Sequence, residues 1–191
     1  THLAIQKVIK EGMTTKQLDD FANKFIVDHK NAVPAQLGYG GFPYTLCISV
    51  NDEICHGFPG DYVLKKGDIV SIDNVIEYEG GLADSCWSYA IGNLAERDQK
   101  LMDVTLKSLN KAIKEAKVGN RIGDIGHAIQ EYAEVENDFS VIRDFIGHGI
   151  GKEMHEDPQV PHYGKAHRGP RIQAGMVFTI EPMIASGNWP M

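Results

Sequence analysis

Two aspartates lie where strand-like sequence should bring them together. The runs GDIVSIDNVI and LADSCWSYAIG have strand composition and are joined by EYEGG, which has the composition of a turn. With Tyr78 and Glu79 as the loop, Asp73 falls opposite Asp84, and a longer loop of the same parity keeps both on one face. Directly opposed side chains have Cβ atoms about 5 Å apart, and like charges there repel. Two buried carboxylates at that range share a proton or hold a cation. Ile69, Ile72, Val75, Ala83, Trp87 and Ile91 around them predict a largely buried sheet. The plainer reading, one Asp facing solvent at an edge, ranks second because Asp is depleted in strands.

A second cluster centres on His148 in Gly-His-Gly-Ile-Gly, residues 147–151. Glycines on both sides let the backbone take unusual angles and let a ligand come close. A lone His in such a loop is more often a turn residue, but this one is joined by His155 in MHEDP and by Glu181 in TIEPM. Two Asp, one Glu and one or more His make an oxygen-rich donor set with some nitrogen, which suits Mn, Co, Fe or Zn in a two-metal hydrolase. His56 precedes Gly as His148 does, and on its own also fits a loop residue at a strand end. His2, His29, His127, His162 and His167 read as surface or packing residues, and Cys47 and Cys55 as small apolar side chains. A Walker-type phosphate loop and a Gly-x-Ser-x-Gly elbow are both missing from the sequence.

The elements that must position these groups come as two similar runs. A helix is predicted over 14–29, with Thr14 and Gln17 at capping-box spacing and an apolar stripe of Leu18, Phe21, Ala22, Phe25 and Ile26. TLCISV reads as a strand. A second helical pair is predicted over 98–117, with Met102, Leu106, Leu109 and Ile113 on one face, and over 122–135. FSVIRDFI and GMVFTIEPM read as strands. Gly12 and Leu18 are echoed 107 residues later by Gly119 and Ile125, and Gly67 to Asp73 is echoed 108 residues later by Gly175 to Glu181. Two echoes in register predict an αβ unit that occurs twice.

The 191 residues are 42% apolar and 24% charged, the composition of an ordinary globular domain, with a formal charge of −7. That balance argues against a nucleic-acid groove or an anionic membrane surface. No apolar run has the length of a membrane-spanning helix. Three cysteines without zinc-ribbon spacing read as reduced thiols of a cytoplasmic protein.

At these residues the sequence resembles the type I methionine aminopeptidases, the pita-bread metallopeptidases. The segments LCISVNDEICHGFP, KKGDIVSID, GGLADSCWSYAIG, IGHGIG, MHEDPQVPHYG and GMVFTIEPMI match in the family's order across nearly the whole chain. The resemblance implies an α+β pita-bread fold, with two pseudo-symmetric halves, about 1–92 and 98–191, around a curved antiparallel sheet with helices outside. It implies a single catalytic domain that removes the N-terminal methionine of nascent proteins with a small second residue, by metal-hydroxide attack on the first peptide bond. Two divalent ions (Co, Mn, Fe or Zn) are the implied cofactors, with Asp73 chelating one, Asp84 bridging both, and His148 and Glu181 binding on the other side. Glu181 is then the base, His155 bonds the scissile group and His56 sits by the leaving amide. Tyr39, Phe42, Cys47 and Met154, with Gln36 nearby, line the implied methionine pocket. A cytoplasmic monomer working at the ribosome, without nucleic-acid or membrane partners, completes the implication.

The family's fifth ligand is a Glu on a strand after the EPM motif, and Glu181 is the last acidic residue here. The internal repeat also has the counterpart of 82–91 begin near residue 191, and the opening THLAIQKVIKEG reads as the last turns of a helix whose start is missing, so the sequence is expected to be truncated at both ends. The competing expectations are a non-catalytic binding module or inactive fragment of the same fold, an X-Pro peptidase, and an unrelated proton-sharing carboxylate enzyme.

Overall fold

A computed structural model describes residues 1–187, which fall into two compact units, 1–95 and 96 onward. In the first unit, helices α1 (His2–Ile5) and α2 (Thr15–Val27) precede strands β1 (Ala32–Pro34), β2 (Cys47–Val50), β3 (Ile69–Tyr78) and β4 (Gly81–Ala90). The expected capping box starts α2: Thr14 Oγ1 accepts the Gln17 N–H at 3.1 Å, and Gln17 Oε1 accepts the Thr14 N–H at 2.9 Å. Its buried stripe is Leu18, Ala22 and Ile26. Asp19, also buried, accepts the N–H groups of Thr45 and Leu46 at 2.9 and 3.0 Å through one oxygen, which ties the helix to the start of β2.

Strand β3 is central, with β1 and β2 along one edge and β4 along the other, all antiparallel. Val70, Ile72, Ile48 and Val50 pack with Ile5, Leu18 and Ala22 in the core. Alternation then puts Ser71, Asp73 and Val75 of β3 on the face away from α1 and α2.

The β3–β4 hairpin corrects the expected register. Its loop is Glu79–Gly80, not Tyr78–Glu79, and both loop residues have positive φ, 51° and 80°, as the two-residue turn matching strand twist requires. Asp73 therefore pairs with Cys86, and Asp84 with Val75. The two aspartates share a face but are diagonal neighbours rather than directly opposed. Ile72, Val75 and Ile91 are buried as expected, but Trp87 is 41% exposed, Ala83 is exposed, and Asp73 and Asp84 are half-buried. Among the described residues β4 has a strand on one side only.

In the second unit α3 (Glu96–Glu115) and α4 (Ile122–Gln130), the latter running into a π-type turn at Glu131–Val135, precede β5 (Ser140–Val141), β6 (Gly147–Gly149), β7 (Glu156–Val160) and β8 (Ile184–Ala185). β5 pairs with β8 and β6 with β7. The expected α3 face is not the buried one. Leu106 and Ile113 are 60% and 52% exposed, whereas Val104, Ser108 and Ala112 are buried, so small residues seat α3 on its neighbours.

The strand expected over 175–183 is not regular. It meets β6 through a bridge between Gly149 and Phe178 and through the Thr179 N–H donated to His148 O at 2.7 Å. The return bond is made by a side chain: the His148 N–H goes to Thr179 Oγ1 at 2.9 Å, which interrupts the ladder.

The sequence repeat reappears as paired hydrogen bonds. Gly12 donates to Leu64 O at 2.9 Å, and Gly119 to Ile172 O at 3.1 Å. Thr15 donates to Tyr62 O and Ile122 to Pro170 O, at 3.1 and 3.0 Å, and Lys16 to Gly60 O and Gly123 to Arg168 O, at 3.0 and 2.9 Å. Every donor pair is 107 residues apart and every acceptor pair 108, the same offsets as the sequence echoes.

Candidate metal centre

In the first unit the carboxylate of Asp73 is gripped from the side. Gln36, 6% exposed, donates to Asp73 Oδ2 at 3.1 Å and accepts the Val75 N–H at 3.3 Å. Cys47 is the cross-strand partner of Asp73 and lies 3.6 Å from Gln36 Nε2. Burial, and then the Asp73 charge, push the Cys47 thiol up to about 12, so it is a neutral apolar wall at physiological pH, as expected. Asp84 stands on the same face one diagonal step away.

His56 is exposed in its loop with φ 57°. The loop is held by its neighbour: Gly57 accepts the Ile48 N–H at 2.9 Å and donates to Ser49 Oγ at 3.1 Å. A Cβ at Gly57 would lie 2.2 Å from Ile48 O, so only glycine permits this docking. Phe42 is half-buried and packs edge-on against Tyr44 and Phe58, while Tyr39 is 48% exposed.

In the second unit His148 and Glu181 come together, with Nε2 to Oε1 at 3.5 Å. His148 Nδ1 lies 2.9 Å from Gly149 O. A carbonyl only accepts, so Nδ1 carries a proton, and the lone pair that a neutral form of the ring offers is on Nε2, the nitrogen beside Glu181. Thr179 Oγ1 also donates to Glu181 Oε1. The exposed ring of His155 packs 4.4 Å from that of His148, and Met154 is buried. The glycines around His148 serve close approach rather than unusual angles. A Cβ at Gly147 would meet Thr179 O at 2.5 Å and one at Gly149 would meet Asp157 O at 2.2 Å, and neither residue has positive φ.

Each unit by itself presents groups of the kind a divalent ion takes: two carboxylates on one strand face in the first unit, and a carboxylate beside an imidazole with its proton on Nδ1 in the second. Sequence reasoning missed Thr179 and assigned His162 to packing or surface. His162 is fully buried and takes the Glu181 N–H on its Nε2 at 3.2 Å. Burial pushes its pKa down to about 4. It lies 19 residues from Glu181 and outside both echoes, and the segment MHEDPQVPHYG that contains it did not single it out. His2 is a packing residue as expected, stacked on Trp87 at 5.1 Å.

Fold and donor set together define a metal-dependent hydrolase of the pita-bread type, and the comparisons agree. The model of metallopeptidase family M24 matches residues 1–190, and the chain belongs to that family. It is 50% identical over 188 residues to methionine aminopeptidase 1 of Bacillus subtilis (strain 168), covering 98% of this chain and 75% of that protein. The crystal structure of methionine aminopeptidase from Rickettsia prowazekii superposes with a TM-score of 0.94 at 43% identity, over 97% of this chain and 74% of that one. An Xaa-Pro dipeptidase from Bacillus anthracis shares the fold alone, with a TM-score of 0.77 at 18% identity over 95% of this chain and 48% of the other. No helix among the described residues is long and apolar enough to cross a membrane.

Proposed function

We propose that the protein is a methionyl aminopeptidase that removes the N-terminal methionine of nascent chains whose second residue is small. The observation that carries this reading is the His148–Glu181 pair, with the imidazole proton pinned on Nδ1 and Nε2 turned to the carboxylate. Relatives at about half identity, named as methionine aminopeptidases, support it.

In this reading Asp73 and Asp84 of the first unit, and His148 and Glu181 of the second, hold two divalent ions (Mn, Co, Fe or Zn), and the chain acts as one catalytic domain. Such ions supply Lewis-acid polarisation and acidify a nucleophilic water. Glu181 takes the proton of the attacking water and returns it to the leaving amine. His155 hydrogen-bonds the scissile group, and His56 stabilises charge at the leaving amide. Tyr39, Phe42, Cys47 and Met154 accept the methionine side chain, with Gln36 holding Asp73 beside that wall. The neutral Cys47 suits a thioether better than a polar side chain. The same reading makes the protein a cytoplasmic monomer that meets its substrates at the ribosome, without nucleic-acid or membrane partners.

The test compares Met-Ala-Ser, Leu-Ala-Ser and Ala-Pro-Ser as substrates with Mn(II) present. Release confined to Met-Ala-Ser supports the proposal. Cleavage confined to Ala-Pro-Ser makes the protein an X-Pro peptidase instead.

A further inference from the structure

His162 has no part in the mechanism above, yet nothing of it is exposed. Its Nε2 accepts the Glu181 N–H at 3.2 Å. The stretch around Glu181 has its other backbone bonds on other segments: Thr179 donates to His148 O at 2.7 Å, and Met183 O accepts from Ile142 at 3.0 Å. At Glu181 itself an imidazole takes the place of a ladder acceptor. An accepting Nε2 requires the neutral ring with its proton on Nδ1. That Nδ1 is buried with no hydrogen-bond partner among the described residues. Burying an unsatisfied donor is costly, and a phenyl ring would pack without that cost. The imidazole is therefore explained by its other nitrogen.

The segment bearing His162 is clamped by α4. A Cβ at Gly126 would lie 2.5 Å from Pro161 O and 2.6 Å from Tyr163 O, so the helix backbone rests directly on residues 161–163. Gln130 Oε1 accepts the Gly164 N–H at 2.9 Å one turn further along. A ring seated this firmly transmits the position of α4 to the backbone of Glu181.

We infer that His162 is a positioning residue: as a neutral acceptor it fixes the Glu181 backbone, and through it the direction of the carboxylate that His148 and Thr179 also touch. The inference rests on the reading of Glu181 as ligand and base. His162→Phe keeps an aromatic ring but removes the acceptor, and His162→Gln restores an oxygen near the position of Nε2.

Three readouts apply at matched circular dichroism: exchange of the Glu181 amide in the metal-free protein, the Mn(II) dissociation constant by calorimetry, and kcat against KM on Met-Ala-Ser. In His162→Phe the amide exchanges faster, Mn(II) affinity falls about 10–100-fold, and kcat drops with little change in KM. His162→Gln recovers most of each. An equally protected Glu181 amide in His162→Phe overturns the inference, as does equal loss of Mn(II) affinity in the two variants. Where His162→Phe does not fold, imidazole 15N shifts of the parent decide: an unprotonated Nε2 bonded to the Glu181 amide supports the role, and a protonated Nε2 overturns it. Failure of the parent to bind Mn(II) overturns the metal reading instead, and amide exchange still decides the role of His162.

Discussion

Gln36 holds Asp73 by donating to Oδ2 at 3.1 Å while its own oxygen accepts the Val75 N–H at 3.3 Å. The amide is thus locked to β3 at both ends, and its donor is aimed at the carboxylate. Outer partners of this kind orient a ligand and tune its basicity. Gln36→Leu is expected to weaken Mn(II) binding about 10–100-fold with the fold retained. Gln36→Glu, which places a like charge beside Asp73, should cost more. Calorimetric titration of the two variants against the parent, with circular dichroism as control, checks both.

Asp84→Asn removes a charge and a donor site from a residue that would hold the proposed ions, while preserving shape. Methionine release should be abolished and the thermal midpoint changed little, because Asp84 is half-buried on a strand face. Near-normal release by this variant would contradict the dinuclear assignment.

Asp19 accepts the Thr45 and Leu46 N–H groups through the same oxygen, Oδ1. Asp19→Ala leaves both buried donors unpaired and should destabilise the protein by about 3 kcal/mol. Asp19→Asn keeps an accepting oxygen in place and should cost much less. Urea unfolding of the two variants separates the hydrogen bonds from the charge, and equal losses would show that the charge dominates.

Burial holds the pKa of His2 below its ordinary 6.5, outweighing the bond to Ser85 O that raises it. The unfolded chain then binds a proton near pH 6.5 that the folded chain binds only at lower pH. Stability contributed by neutral His2 is present above that pH and is lost as pH falls towards the folded pKa. His2→Phe can still stack on Trp87 but does not titrate. The urea midpoint should therefore drop more for the parent than for His2→Phe between about pH 8 and about pH 5.5. Parallel drops would show that His2 is not the group responsible.

Local chemistry carried the parts of the fold that were legible in the sequence. The Thr14–Gln17 capping box depends on residues three apart, and the repeat survives as hydrogen bonds at unchanged offsets. Strand parity placed Asp73 and Asp84 on one face, but the register depended on which two residues take positive φ in the turn. On α3 the larger apolar residues drew attention to the wrong face, because close helix packing favoured Ser108 and Ala112. Thr179 and His162 act on Glu181 by contacts that only the folded chain brings about. Both residues lie in segments that carry the family resemblance, but the segments do not say that the two side chains meet Glu181.

Metal-dependent release of methionine is read from hydrolysis of Met-Ala-Ser by metal-free protein before and after addition of Mn(II) or Co(II). The proposed activity requires no release without metal, release on addition, and loss again with excess chelator. Release that is undiminished by chelator, or none with any divalent ion, would contradict it.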